Sequence, residues 1–303
     1  MLRKEGSMRK FNSQEIKEFV SKPLFDERVI LEKDPSYPKI SIVTPSYNQA
    51  EFLERTILSV LNQNYPNLEY IIIDGGSTDG SVEIIKRYEK FLSYWVNEPD
   101  NGQASALKKG FDNCTGEIMA FLNSDDTYYP GTLNKIADLF KRNSQVDVIY
   151  GAINLIDKYD NILARKDMSG FRFDFSILLF ESSLPQPAVF WRRDIYLKSR
   201  GIDPSFLFSM DKDLWVRFSL SGAKFLRVNE VLANFRLHGS NKTFTINDIR
   251  IKEDLFIIER TLGRRIGNFE LRSRVLVNKT KRYLSNPLDL FRGLVLRMRR
   301  LKW

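Results

Sequence analysis

Short apolar runs alternate with stretches of helical period from residue 39 to residue 150. Ile40-Ser41-Ile42-Val43-Thr44 reads as a first strand. From Glu51 to Gln63 the apolar positions Leu53, Ile57, Val60 and Leu61 fall at helical spacing. Tyr70 to Ile73 is a second strand, and Val82 to Tyr88 begins a second helix. A short third strand, Tyr94 to Val96, precedes a helix from Ala104 to Asn113. A fourth strand, Ile118 to Leu122, is followed by a helix from Gly131 to Arg142 and a fifth strand from Val146 to Tyr150. Strands separated by single helices at this spacing predict parallel pairing with right-handed crossovers. The expected architecture is α/β: a layered fold whose mostly parallel central sheet is flanked by helices.

The ends of the chain and its second half read differently. Residues 1–38 are polar and set off by Pro35 and Pro38, so they are expected to form an N-terminal extension. From Gly151 to about Gly263 the pattern loses its regularity. Phe171, Phe173, Phe175 and Phe180 come before a Leu184-Pro185-Gln186-Pro187 turn, and Lys212 to Ser221 reads as a helix. This stretch is too short and irregular to repeat the first half. It is expected to complete one domain, 39–263, with its phenylalanines in the core. Residues 264–303 form a basic, helical tail.

Charge sharpens the picture of that tail. It holds twelve Lys or Arg against Glu270 and Asp289, a net +10, while the whole chain of 303 residues carries +9. The body is therefore close to neutral, which argues against nucleic acid as a partner, since that role calls for a basic folded face. For the tail, a solvated helix and a contact with an anionic membrane surface both stay open. A single cysteine, Cys114, rules out a disulfide within the chain or a cysteine-built zinc site, and fits a reducing compartment. No apolar run approaches the ~20 residues of a membrane span, and the N-terminus lacks the apolar core of a secretory signal. The expected location is the cytoplasm, peripheral at the inner face of the membrane if the tail binds it.

Candidate chemistry collects at the strand ends, where ligands bind in open α/β sheets. The fourth strand ends in Asn123-Ser124-Asp125-Asp126. Two adjacent carboxylates repel unless a cation or donor lies between them, which points to a divalent metal with oxygen ligands. The plainer reading is a polar turn whose aspartates cap the next helix. The first strand ends in Thr44-Pro45-Ser46-Tyr47-Asn48, where Tyr47 could stack on a planar base. The second ends in Asp74-Gly75-Gly76-Ser77-Thr78-Asp79-Gly80, whose glycines allow close backbone approach. It is neither a P-loop nor a dinucleotide fingerprint.

In order and spacing across residues 39–131, Thr-Pro-Ser-Tyr-Asn, Ile-Asp-Gly-Gly-Ser-Thr-Asp-Gly-Ser and Phe-Leu-Asn-Ser-Asp-Asp resemble the inverting family-two nucleotide-sugar glycosyltransferases of the GT-A fold. A looser resemblance continues to about Thr243. It implies a nucleotide-binding half, 39–150, and an acceptor-binding half, 151–263. It also implies a nucleotide-sugar donor, expected to be UDP-linked, and a saccharide or lipid-linked acceptor. Thr44, Pro45, Tyr47, Asp74 and Asp125 would line the nucleotide cleft. Asp125 and Asp126 would hold Mn²⁺ or Mg²⁺. Asp100, Gln103 and His238 would meet the donor sugar or diphosphate, and Gln186 the acceptor. Two departures stand out: Gly75 replaces an aspartate that often reads the base, and Asn123 replaces an aspartate of the metal motif.

The resemblance also aligns Asp211, in Ser209-Met210-Asp211-Lys212-Asp213, with the catalytic carboxylate that would deprotonate an acceptor hydroxyl. A helix-capping aspartate is the alternative. Asp213 is expected to support rather than react. His238 is the chain's single histidine, so no multi-histidine zinc site exists. Two other functions remain in view: a nucleotidyltransferase that makes sugar nucleotides, and a non-catalytic membrane-associated saccharide-binding protein. The first would want a glycine-rich basic loop after the first strand, which Ser46 to Glu51 does not supply.

Overall fold

A computed structural model describes residues 8–166, 173–181, 184–239 and 247–285. Phe171 and the end of the tail, 286–303, lie outside the described residues. In chain order the elements are α1 (Ser13–Ser21), α2 (Glu27–Glu32), β1 (Ile40–Ser46), α3 (Ala50–Leu61), β2 (Leu68–Asp74), α4 (Ser81–Tyr88), β3 (Tyr94–Asn97) and α5 (Gln103–Asp112). Then follow β4 (Ile118–Phe121), β5 (Thr127–Tyr128), α6 (Thr132–Arg142), β6 (Val148–Ile156), β7 (Ile162–Lys166) and α7 (Phe175–Glu181). The last are β8 (Val189–Arg192), α8 (Arg193–Lys198), α9 (Met210–Leu220), β9 (Phe225–Arg236), α10 (Asn247–Leu262) and α11 (Asn268–Ser285).

One sheet carries the order β3-β2-β1-β4-β8-β6-β9-β5, with β7 on β6. Its first four strands are parallel, as the sequence predicts. Beyond β4 the sheet is mixed. β8 lies between β4 and β6 and runs antiparallel to both, while β6 and β9 are parallel. The fifth strand therefore keeps its expected direction but is not the neighbour of the fourth. The intervening strand comes from some seventy residues further along the chain, a pairing that local pattern cannot show.

β1 and β2 are buried along their whole length, which is why they read as apolar runs rather than alternations. α5 crosses β1 so closely that a Cβ on Gly110 would lie 2.4 Å from Val43 Cγ1. On α3 the predicted face, Leu53, Ile57, Val60 and Leu61, is wholly buried. The second half joins the same core. Trp191, Trp215 and Phe218 pack against one another, and Phe173 stacks on Phe225.

Residues before β1 are helical. α1 begins with a capping box in which Asn12 accepts from the Glu15 N–H and Glu15 accepts from the Asn12 N–H. Its Ile16 and Val20, one turn apart, are buried, and Ile30 of α2 joins the main core. In the tail, α11 docks on α7 through Asn278, whose Nδ2 donates to Ser176 O at 2.9 Å.

Candidate active site

The acidic loop after β4 is held from three directions. Thr56 of α3 donates its hydroxyl to the Asp126 carbonyl at 2.7 Å. The backbone N–H of Arg236, at the end of β9, donates to Asp126 Oδ1 at 2.9 Å. The Arg236 guanidinium, fully buried, donates to the carbonyls of Asp125 (2.8 Å) and Asp157 (3.1 Å) and pairs with Asp160 at 2.7 Å. Asp160 is shared with Arg55 of α3. Asn234, also buried, ties β5 to β6: it accepts from Asn154 and donates to Thr127.

These supports put the two carboxylates in different surroundings. Asp126 is wholly buried and its Oδ2 has no hydrogen-bond partner. Burial first, and the charge of Asp125 second, push its carboxyl well above the usual carboxylate range, against the pull of Arg236. Asp125 is partly exposed, and its Oδ2 lies 3.0 Å from His238 Nε2. The His238 ring rests against Phe52, with centroids 4.7 Å apart. Among the described residues no cluster of three or more His, Cys, Asp or Glu side chains is preassembled for a metal. The orphaned oxygen of Asp126 and the partly exposed carboxylate of Asp125 nonetheless suit a hard cation that takes its remaining ligands from substrate phosphates and water.

A chain of amides runs from the start of α5 to the second half. Gln103 Nε2 donates to Asn123 Oδ1 at 2.6 Å, Asn123 Nδ2 to Gln186 Oε1 at 3.2 Å, and Gln186 Nε2 to the Phe121 carbonyl at 2.8 Å. Asn123 is thus spent on neighbours, and an aspartate there, accepting only, could not make the second of these bonds.

At the other strand ends the residues divide. Tyr47 is 63% exposed. Thr44 turns its side chain into the core, where Oγ1 lies 3.1 Å from the Tyr70 hydroxyl, so its side chain is removed from the cleft that the sequence assigned it to. Pro45 is buried. Asp74 is buried as well, and its carboxylate holds the following loop by accepting from Ser77 N–H (2.8 Å) and Ser77 Oγ (2.7 Å). Asp100 accepts from Gly102 N–H at 2.7 Å.

Asp211 stands in the first turn of α9, where its Oδ1 accepts from Lys212 N–H at 2.7 Å. Burial pushes its carboxyl up to about 6, and the charge of Asp254 adds to the effect. Lys212 turns instead to Asp254, at 3.2 Å. Asp213 is fully buried between Arg217 and Arg260, the supporting role expected of it. The segment leading into α9 is fixed by Glu253 of α10, which accepts from the N–H groups of Leu207, Phe208 and Ser209. Leu207 in turn lies against Gly102, with Cδ2 4.0 Å from where a Cβ would sit, so the start of α9 adjoins the loop carrying Asp100 and Gln103.

The model of "Glycosyl transferase family 2" matches residues 41–197, more than half of the chain. The chain belongs to glycosyl transferase family 2. It is 31% identical over 226 residues to an uncharacterized glycosyltransferase of Rickettsia typhi, covering 72% of this chain and 70% of that one. It is 37% identical over 110 residues to a putative teichuronic acid biosynthesis glycosyltransferase of Bacillus subtilis, TuaG, covering 35% and 44%. Among solved structures it resembles S. aureus TarS 1–349 in complex with UDP-GlcNAc (TM-score 0.61, 14% identity, 81% and 72% covered). It also resembles the mannosyltransferase PcManGT of Pyrobaculum calidifontis in complex with GDP-Man and Mn²⁺ (TM-score 0.58, 18% identity, 91% and 77% covered). The fold is of the GT-A type.

Against this family background, Arg236 is the residue that sequence reading passed over. The signal available was its place two residues before His238, on a strand whose neighbours are apolar. Replacing Arg236 with Met is expected to cost about 3 to 5 kcal/mol, because Asp160 and two carbonyls lose their buried partner. Arg236→Lys should recover only part of this, since an ammonium cannot reproduce the guanidinium fork. Urea unfolding checks both, and a loss below about 1 kcal/mol in Arg236→Met would refute the clamp.

Proposed function

We propose that this protein is an inverting, metal-dependent glycosyltransferase of the hexosyltransferase type. It moves a sugar from a nucleoside diphosphate sugar, UDP-linked, to a hydroxyl of a saccharide or lipid-linked acceptor in cell-surface polysaccharide or glycoconjugate synthesis. The observation that carries the reading is Asp211: a carboxyl raised to about 6, at the start of a helix beside the loop of Asp100 and Gln103. A base whose pKa lies near the working pH removes a hydroxyl proton most effectively. Family membership, the UDP-GlcNAc named with TarS and the teichuronic acid named with TuaG support the donor and the pathway class.

In this reading Asp211 takes the acceptor's O–H proton as that oxygen attacks the anomeric carbon. The bond from that carbon to the diphosphate breaks on the opposite face, so an α-linked donor yields a β-linkage. Gln186 faces the acceptor, and Gln103 and His238 the donor sugar and diphosphate. Tyr47 and the loop braced by Asp74 receive the nucleoside. A Mn²⁺ or Mg²⁺ held at Asp125, Asp126 and the diphosphate oxygens would offset charge on the departing nucleotide.

Asp211 loses its proton at higher pH in the folded chain than when unfolded. Its ionisation therefore costs stability as pH rises from about 4 to about 6, and the base becomes competent as pH passes about 6. Turnover should fall about tenfold per pH unit below about 6. Asp211→Asn should abolish transfer while UDP binding stays near normal by calorimetry; full turnover in that variant removes Asp211 as the base. For the cation, Mn²⁺ should tighten UDP binding, and Asp125→Ala should erase that gain. Metal-independent binding in the native protein would sink the assignment.

The tail is proposed to meet an anionic membrane surface. On α11, Phe269 is 86% exposed, Leu276 and Val277 are exposed too, and Arg272, Lys279 and Lys281 stand on the solvent side with them. An apolar ridge among basic residues fits an interfacial helix. No helix among the described residues is long and apolar enough to cross a membrane. The combined changes Arg272→Glu, Lys279→Glu and Lys281→Glu should abolish salt-sensitive binding to phosphatidylserine liposomes, and undiminished binding would refute the contact.

A further inference from the structure

We infer that Asp100 selects the nucleobase, favouring bases with a ring N–H at the pairing edge (uracil, thymine, guanine) over cytosine and adenine. The inference rests on the donor-site reading above and extends it from the sugar and diphosphate to the base.

β2 and β3 are parallel neighbours, with Asp74 paired to Asn97, and Glu98 N–H donates to the Asp74 carbonyl at 3.0 Å. The segments leaving these strands therefore run side by side. Gly76 has φ +89°, and a Cβ there would stand 3.4 Å from Pro99 N. At Gly75 the contact is with the carboxylate itself: a Cβ would lie 2.9 Å from Asp100 Oδ2 and 3.2 Å from its Cγ. Gly75 does not occupy the left-handed region, so its backbone would accept a side chain. What stands in its way is the end of the Asp100 side chain, which would have to shift to admit it. The two positions are alternatives for a single volume, and here the side chain comes from the β3 loop.

That side chain is already oriented. Oδ1 accepts from Gly102 N–H at 2.7 Å, which fixes the carboxylate plane, and no described residue donates to Oδ2. Its place along the sheet suits a base. In the order β3-β2-β1-β4, the end of β2 is two strand spacings, about 10 Å, from the acidic loop after β4. A nucleotide whose phosphates lie at Asp125 extends past the exposed ring of Tyr47, at the end of β1, towards Asp100. An ionised carboxylate only accepts hydrogen bonds. Uracil and thymine offer N3–H and guanine N1–H, whereas cytosine N3 and adenine N1 offer lone pairs. Their one pairing-edge donor, the exocyclic amine, leaves that ring lone pair facing the carboxylate, so a site built on a ring N–H disfavours them.

The test is calorimetric titration of the full chain with UDP, GDP, CDP and ADP in the presence of Mn²⁺. UDP or GDP should bind at least roughly tenfold tighter than CDP and ADP, as a charge-assisted bond implies. Asp100→Ala should compress that ratio to about threefold or less at unchanged melting temperature. Gly75→Asp alone should weaken every nucleotide, because two carboxylates then contest one volume. The exchange Gly75→Asp/Asp100→Gly should regain the preference. An unchanged ratio in Asp100→Ala overturns the inference alone. So does an equal loss of all four nucleotides that the exchange fails to repair. A native protein that binds no nucleotide overturns the donor-site reading with it.

Discussion

A guanidinium with no exposure to water must find its partners within the protein, and those of Arg236 tie the site together. Its partners come from the loop after β4, the turn between β6 and β7, and, through Asp160, from Arg55 on α3. Side chains two apart on a strand point to the same face. Asn234, Arg236 and His238 follow that spacing off β9, and in turn they hold β5, the acidic loop and Asp125. One strand thereby places three successive parts of the site, and a shift of register by one residue would misplace all three at once.

The same rigidity explains why two neighbouring aspartates behave so differently. Asp126 is sealed by its backbone bonds and can remain charged only with help, while Asp125 keeps a face open beside His238. Across the cleft, Asp211 is raised by burial but sits among groups that neutralise each other, Lys212 with Asp254 and Asp213 with Arg217. Burial raises both Asp126 and Asp211, and their surroundings rather than their residue type separate their chemistry.

Much of this was legible in the chain. Continuous apolar runs gave β1, β2 and β4, helical spacing gave α3 and α6, and the motifs at strand ends pointed to the cleft and to its family. The mixed half of the sheet was not readable, because β8 enters between β4 and β6 through long-range pairing. The helices before β1 were hidden by polar composition, although Asn12 and Glu15 have capping-box spacing and Ile16 and Val20 lie one turn apart. The inward turn of the Thr44 side chain was not readable, because both faces of β1 are buried and no alternation told which side chains turn inward. Arg236 was passed over for the opposite reason: an arginine in a strand reads as a solvated edge until its partners, about eighty to a hundred and ten residues away, are in place.

The amides joining the two halves of the cleft have a direction. The Phe121 carbonyl can only accept, so Gln186 must turn its NH₂ towards the strand and its oxygen towards Asn123. Asn123 must then offer its own oxygen to Gln103, which answers with its NH₂ and points its carbonyl oxygen away. The polarity that Gln103 shows at the start of α5 is therefore dictated by a main-chain oxygen of β4, relayed through Gln186 and Asn123.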